Sequence, residues 1–307
     1  ANSTVKWRTV EAGDVQRGAL LIPVEARWLA TNAGGRVAVT YQYAREGVAE
    51  TADPLALTIL VPLVLDPPLV EDAVSEGEDG NGESQGFIEA EGALAGVGVV
   101  VPDSDALDGA VAIEVHWEGH PQGGQHIAQA PHEPGKPLRF SVPHTAVAAN
   151  IGGQSKRFRV YYRVTLSNGR TYTSRAFRLW IKPLPSHYYE PPQCRQAEGK
   201  PGLSMADVPA DGAEVYVETW AFAVGGHLLT LWMTGVGADR ATVEYIARDA
   251  LPATQAELDN RTVAGRLPRD VLAQLVPNTQ MTLRAKVSYD GGETAILFST
   301  NPIKWLG

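Results

Sequence analysis

The chain has 307 residues, 44% apolar and 20% charged, with a formal net charge of -9, a globular composition long enough for two domains or slightly more rather than a single core. Its one cysteine, Cys194, excludes an internal disulfide framework and any paired-cysteine zinc spacing, and the acidic balance excludes general nucleic-acid binding. The charge is divided along the chain: Glu46 to Gly135 holds no Lys or Arg and 18 of the 35 acidic residues, whereas Lys136 to Leu184 holds ten basic residues and no Asp or Glu.

In chain order, the opening ANSTVKWRTV is polar and is not followed by an apolar core of secretory-signal length. Ile22-Pro23 precedes an alternating run, Val37, Val39, Tyr41 and Tyr43, which ends at a turn containing Gly47. The longest apolar stretch, Leu55 to Leu65, is broken by Thr58 and Pro62 and is far shorter than the roughly 20 residues of a membrane span. No membrane insertion is expected of this chain.

The same landmarks then return twice. Val142-Pro143 precedes the run Phe158, Val160, Tyr162, Val164 and the turn at Gly169, and Leu267-Pro268 precedes Leu283, Ala285, Val287, Tyr289 and the turn at Gly291. The three glycines stand 122 residues apart both times, the upstream prolines 120 and 125, and the closing prolines Pro62, Pro183 and Pro302 stand 121 and 119. A repeat of about this length is a unit of architecture. Period-two alternation on either side of Asn168-Gly169 predicts an antiparallel hairpin, since Asn-Gly supplies the positive φ that suits strand twist.

The earlier half of the repeat recurs as well. Ile113-Glu114-Val115-His116-Trp117-Glu118-Gly119 matches Leu229-Thr230-Leu231-Trp232-Met233-Thr234-Gly235, each an alternating strand with a Trp near its end, and both Trp117 and Trp232 are expected in the core. Helical pattern is confined to Thr145 to Asn150, Gln255 to Asn260 and Pro268 to Leu275, short enough to serve as crossover turns between sheets. Frequent Gly and Pro with short strands predict an all-β fold of tandem sandwiches with about seven strands each. The expected domains are 1–63, a partial C-terminal half-repeat, then full sandwiches over 64–184 and 185–307.

These residues resemble the bacterial immunoglobulin-like repeats found in tandem in large Gram-negative surface or secreted, adhesin-like proteins. The stretches that carry the resemblance are FSVPHTAVAANIGGQSKRFRVYYRVTLSNGRTYTSRAFRLWIKPL and VYVETWAFAVGGHLLTLWMTG, and it covers residues 64 to 307. It implies immunoglobulin-like β-sandwiches, an extracellular or bacterial cell-surface location, and a role in adhesion, receptor binding or spacing. The half-copy over Lys6 to Leu63 implies either a piece of a longer protein or completion by a partner segment, because an incomplete sandwich exposes apolar sheet and unpaired edge.

Candidate chemistry is sparse. Asp103, Asp105 and Asp108 form an oxygen-rich group to which calcium could bind, whereas the loop Asp79-Gly80-Asn81-Gly82-Glu83 lacks the glutamate an EF-hand needs, its twelfth position being Ala90. His116 and His120, four apart on a strand, lie roughly 13 Å apart and share a metal only if Gly119 turns the chain. No GxSxG elbow, HExxH or phosphate loop is present, so no catalytic residue and no cofactor are expected and the chain is read as non-enzymatic.

The one stripe suited to a ligand is Arg157, Arg159, Tyr161, Arg163, Arg178, Trp180 and Lys182, basic residues interleaved with aromatics that fit a polyanion or acidic glycan. The competing account is that these cations face carboxylates on neighbouring strands of the same sandwich at roughly 0.2 to 1 kcal/mol per pair, which also explains the charge division. The expected partner is a protein receptor or a surface glycan. A carbohydrate-binding module using Trp180, Trp220 or Trp232 is the alternative, with an accessory domain of a secreted hydrolase behind it.

Overall fold

The computed structural model describes residues 3–60, 64–104, 107–130 and 138–307. They fall into two compact units, Ala1–Val64 and Leu65–Gly307.

The first unit begins with two helices, α1 (Ala12–Arg17) and α2 (Ala26–Thr31), neither of which the strand-rich pattern predicts. Local signals account for α1: Glu11 and Asp14 form a reciprocal capping box, and the helix stops at Gly18 in the left-handed conformation. Strands β1 (Arg36–Val39) and β2 (Gln42–Arg45) then run out, and β3 (Val48–Thr51) and β4 (Leu55–Thr58) return. β1 pairs with β4 and β2 with β3, so the unit ends in an interrupted two-stranded hairpin about Gly47. Of its alternating residues only Val37 is buried; Val39, Tyr41 and Tyr43 are 47%, 63% and 47% exposed.

The second unit contains two sandwiches in succession. The first module comprises β5 (Leu69–Val70), β6 (Val74–Glu78), β7 (Ser84–Glu89), β8 (Val97–Val101), β9 (Ala110–Glu118), β10 (Gln125–Ala130), β11 (Leu138–Val142), α3 (His144–Ala148), β12 (Phe158–Leu166), β13 (Thr171–Thr173) and β14 (Phe177–Lys182). One sheet has the order β10-β9-β12-β14-β7-β6, with β13 also on β12, and the other is β11-β8-β5. The second module comprises β15 (Gln193–Cys194), β16 (Ala213–Glu218), β17 (Leu228–Val236), β18 (Thr242–Pro252), α4 (Gln255–Asp259), β19 (Thr262–Leu267), α5 (Arg269–Leu272), β20 (Gln280–Ser288), β21 (Ile296–Leu297) and β22 (Asn301–Lys304). Its sheets are β15-β16-β19 and β18-β17-β20, with β21 and β22 both on β20.

The path through the two modules is the same. β8, β9, β10, β11 and β12 correspond in order and in sheet to β16, β17, β18, β19 and β20, the chain changing sheets after the first, third and fourth of each set. This is the Greek-key connectivity of an immunoglobulin-like sandwich, and the protein is all-β with such sandwiches in tandem. The turn glycines Gly47, Gly169 and Gly291 all have positive φ, 80°, 78° and 71°, so the 122-residue spacing marks three equivalent hairpin turns. α3 and α5 occupy the expected crossovers, each with a proline, Pro143 or Pro268, at its N-cap. No helix among the described residues is long and apolar enough to cross a membrane.

Alternation decides what enters each core. Ile113, Val115 and Trp117 of β9 are at most 1% exposed, as are Leu229, Leu231 and Met233 of β17. Trp117 meets Phe158 at 4.9 Å between ring centroids, and its indole N–H donates to the Ala146 carbonyl of α3 at 3.2 Å. Burying a large side chain of this kind contributes about 2 to 3 kcal/mol. Trp232 departs from expectation: it lies on the outer face, half-buried between Leu231 and Met233 of the core. In the matched heptapeptides its counterpart is His116, and a single-residue phase difference moves a strand residue to the opposite face.

Candidate functional site

The seven residues of the basic stripe share the outer face of the first module's larger sheet, and acidic residues from earlier strands meet them there. The ladder between β12 and β9 sets Arg159 opposite Glu118 and Arg163 opposite Glu114, and the parallel ladder between β14 and β7 sets Lys182 opposite Glu89. Arg157, just before β12, donates to Glu76 at 2.6 Å and to the carbonyls of Gly86 and Arg178, each at 3.2 Å. Arg159 lies 3.4 Å from Glu83 and 3.9 Å from Glu118, Arg178 lies 3.8 Å from Glu83, and Lys182 donates to Glu89 at 2.8 Å. Outside the stripe, Arg139 clasps Glu71 through two bonds of 2.6 Å.

The aromatics of the stripe are equally engaged. Tyr161 is 7% exposed and stacks on His116 with centroids 4.8 Å apart and planes 2° from parallel. The guanidinium groups of Arg159 and Arg163 lie 5.4 and 5.9 Å from its ring centre. Burial, and then the Arg163 charge, hold His116 below its ordinary pKa, so the ring is neutral at pH 7; its Nε2 is 3.4 Å from Glu114 without hydrogen-bond geometry. Trp180 donates its indole N–H to the Gly152 carbonyl at 2.7 Å and sets its edge against Phe87 at 6.1 Å. The ammonium of Lys182 sits 3.3 Å from the centre of the Phe87 ring. Sequence reasoning named one side of this arrangement by residue and offered carboxylates on neighbouring strands as its counterpart, without saying which; they are Glu76, Glu83, Glu89 and Glu118.

Of the three aspartates named for calcium, Asp105 lies outside the described residues, and among the described residues no three His, Cys, Asp or Glu side chains are grouped to hold an ion. Asp79 instead accepts the backbone N–H groups of Asn81 and Glu83 at 2.8 and 3.0 Å, and the Glu83 bond first among these holds its carboxyl below the usual range. Cys194 is buried, which pushes its thiol up and makes it a poor nucleophile. Of the three indoles named for a lectin-like surface, Trp180 and Trp232 are half-buried and Trp220 is 5% exposed, so none presents the flat exposed ring that alternative requires.

Sequence reasoning also missed the contact between the two modules. Lys156, which follows the α3 crossover, reaches Asp290 in the turn after β20 at 2.7 Å; the Asp290 side chain has 0% exposure and that of Lys156 16%. Lys156 also donates to the Ala149 carbonyl at 3.1 Å. Asp290 accepts from the Ser288 hydroxyl at 2.7 Å and from the Thr294 amide and hydroxyl at 2.9 and 2.5 Å. Burial alone would raise the Asp290 pKa, but the Lys156 ammonium and these bonds outweigh it and hold the carboxyl well below the ordinary range. Close by, His120 Nε2 is 3.1 Å from Glu293. Gln122 packs so tightly against Gly291 that a Cβ there would lie 1.5 Å from its amide oxygen, a second reason, besides positive φ, for glycine at that turn.

No family model matches the chain and no curated protein matches it. Among solved structures, it is similar to the fibronectin(III)-like modules of Clostridium thermocellum CbhA, with 12% identity and a TM-score of 0.23 over 78% of this chain and 93% of that one. It is also similar to murine CEACAM1b, with 7% identity and a TM-score of 0.21 over 68% of this chain and 92% of that one. The fold assignment rests on the strand order and registers given above.

Proposed function

We propose that this chain is a non-enzymatic, tandem immunoglobulin-like element of a bacterial surface or secreted protein, and that its task is to hold adjoining modules in one fixed geometry while a protein receptor or surface glycan is engaged. The observation that carries this reading is the joint. Contacts between modules that swivel freely are polar and solvated, whereas Asp290 is fully enclosed and takes its cation from the neighbouring module. A buried carboxylate whose counter-charge lies on another body stabilises a single relative placement, since separation would leave the charge unpaired. The pairing of the basic stripe with Glu76, Glu83, Glu89 and Glu118 favours stiffness of the first module over an open polyanion surface.

Spin labels test the proposal. Val111 and Ile246 are exposed, at 54% and 46%, one in each module, and Cys194 is buried, so paired cysteines at those two sites can be labelled selectively. A single narrow distance distribution is expected for the otherwise native chain, broadening in Lys156→Met. A broad distribution with Lys156 in place would refute a fixed joint.

A further inference from the structure

The outer face of the second module's larger sheet carries cations that the fold leaves without counter-charges. Across the ladder between β17 and β20, Lys286 stands opposite Thr230, Arg284 opposite Trp232 and Thr282 opposite Thr234, and on the other side of β20 Lys304 stands opposite Gln280. The first module matches charge at the same places: Arg163 faces Glu114 where Lys286 faces Thr230, and Arg159 faces Glu118 where Thr282 faces Thr234. β17, β20, β21 and β22 contain no Asp or Glu, and the carboxylates of this sheet, Glu244 and Asp249, are confined to its edge strand β18. Among the described residues, none of Arg284, Lys286 and Lys304 forms an ion pair or a side-chain hydrogen bond. We propose that this face binds an acidic glycan, a hydroxylated chain bearing carboxylates at intervals, laid along β20; the inference rests on the role in surface engagement proposed above.

The side chains of the face select the ligand class. Positions 280 to 286 span about 20 Å at roughly 3.3 Å per residue, so the three cations reach over several sugar residues. Arg284 presents a planar guanidinium whose fork matches a carboxylate through two parallel bonds. Between the cations lie Gln280, Thr282 and Thr234, neutral groups that both donate and accept, as sugar hydroxyls do. A neutral glycan would leave the cations unanswered. An acidic peptide would seek a free ladder, but β20 is already paired with β17 on one side and with β21 and β22 on the other. The chain's net charge of -9 supplies no long-range attraction for an anion, so recognition depends on contact with this face and is sensitive to salt. It requires no stacking on Trp232, which is half-buried; the place of that residue opposite Arg284 makes its indole a reporter of occupancy.

The test uses the full chain with 15N-labelled tryptophan, a galacturonate hexasaccharide, the same hexasaccharide with its carboxylates methyl-esterified, and a hexaglutamate peptide, each titrated to millimolar concentration at low salt. The Trp232 indole resonance, assigned by its loss in Trp232→Phe, is expected to move saturably with the free-acid hexasaccharide and with neither of the others, and the shift is expected to fade as salt is raised. Arg284→Gln and Lys286→Gln remove charges that pair with nothing in the fold, so the urea midpoint is expected to stay that of the native chain. By calorimetry each is expected to weaken binding about three- to fivefold, and the two together about tenfold or more. Arg159→Gln, in the paired stripe of the first module, is expected to leave the affinity unchanged. No saturable movement, equal binding of the esterified sugar or of the peptide, or native affinity in the double variant overturns the proposal. Failure here with a narrow spin-label distribution removes the ligand and leaves the fixed joint standing.

Discussion

Lys156→Met keeps most of the aliphatic stem that packs at the joint and removes the ammonium. Asp290, at 0% side-chain exposure, is then left with the Ser288 and Thr294 bonds alone. Removing one partner of a buried pair costs about 3 to 5 kcal/mol, and the retained bonds set the expectation at the lower end, about 3 kcal/mol. Asp290→Asn removes the charge from the other side, and the double variant closes a cycle whose coupling is expected at about 2 kcal/mol. Urea unfolding at pH 7, followed by tryptophan fluorescence and far-ultraviolet dichroism, measures all four proteins. Because the folded Asp290 pKa is depressed, the contribution of the pair is fully present above the ordinary carboxylate pKa of about 4 and is lost as the pH falls from there through the folded value. The gap between native and Lys156→Met should therefore narrow from about pH 4 toward pH 2. A coupling below about 0.5 kcal/mol, within the scatter for independent sites, or a gap indifferent to acid, would refute the reasoning.

Two further outcomes follow from the same physics. Burial lowers His227 from 6.5 to about 4, so the unfolded chain takes up a proton from about pH 6.5 downward while the fold resists until about pH 4. Stability should fall across that window by about 3 kcal/mol from this site, and urea midpoints at stepped pH should show a flatter slope in His227→Gln, with the remainder including His116, which is shifted the same way. Arg159→Glu combined with Arg163→Glu would turn the β12 face toward Glu83, Glu114 and Glu118 with like charge; a loss of about 1 to 2 kcal/mol, partly restored by salt, is expected in thermal unfolding. Unchanged stability with lost binding to a polyanion would instead return the stripe to the role of a ligand surface.

The architecture was legible because it is periodic. Alternation at Phe158 to Val164 and at Leu283 to Tyr289, turn glycines at constant spacing and prolines before the crossovers are local signals, and each found its element. α2 starts three residues after Pro23, with Glu25 at its N-cap, whereas α3 and α5 start directly after Pro143 and Pro268, and without a clear apolar helical face it was not legible. Trp232 failed for a different reason: residue type suggested core, whereas phase within the strand assigned the face, and phase decides. The stripe was legible as a set of positions on one face, but its ion pairs were not, because Glu76, Glu83 and Glu89 lie some 80 to 100 residues away in sequence. Nothing local marks the pairing of Lys156 with Asp290, since the two residues belong to different repeats.

The division of charge between early and late strands also bears on how neighbouring repeats avoid trading parts. Tandem domains of one fold are prone to strand exchange during folding, and β9 and β17 are equivalent enough to be candidates. If β17 took the place of β9 beside β12, Arg159 and Arg163 would face Thr234 and Thr230 in place of Glu118 and Glu114. The correct strand thus carries an electrostatic password that its nearest imitator lacks, and discrimination by the wrong partner's deficit requires no added affinity in the right one. The acidic half of the module is also made first, so during synthesis it remains a self-repelling, soluble segment until the basic strands emerge to neutralise it.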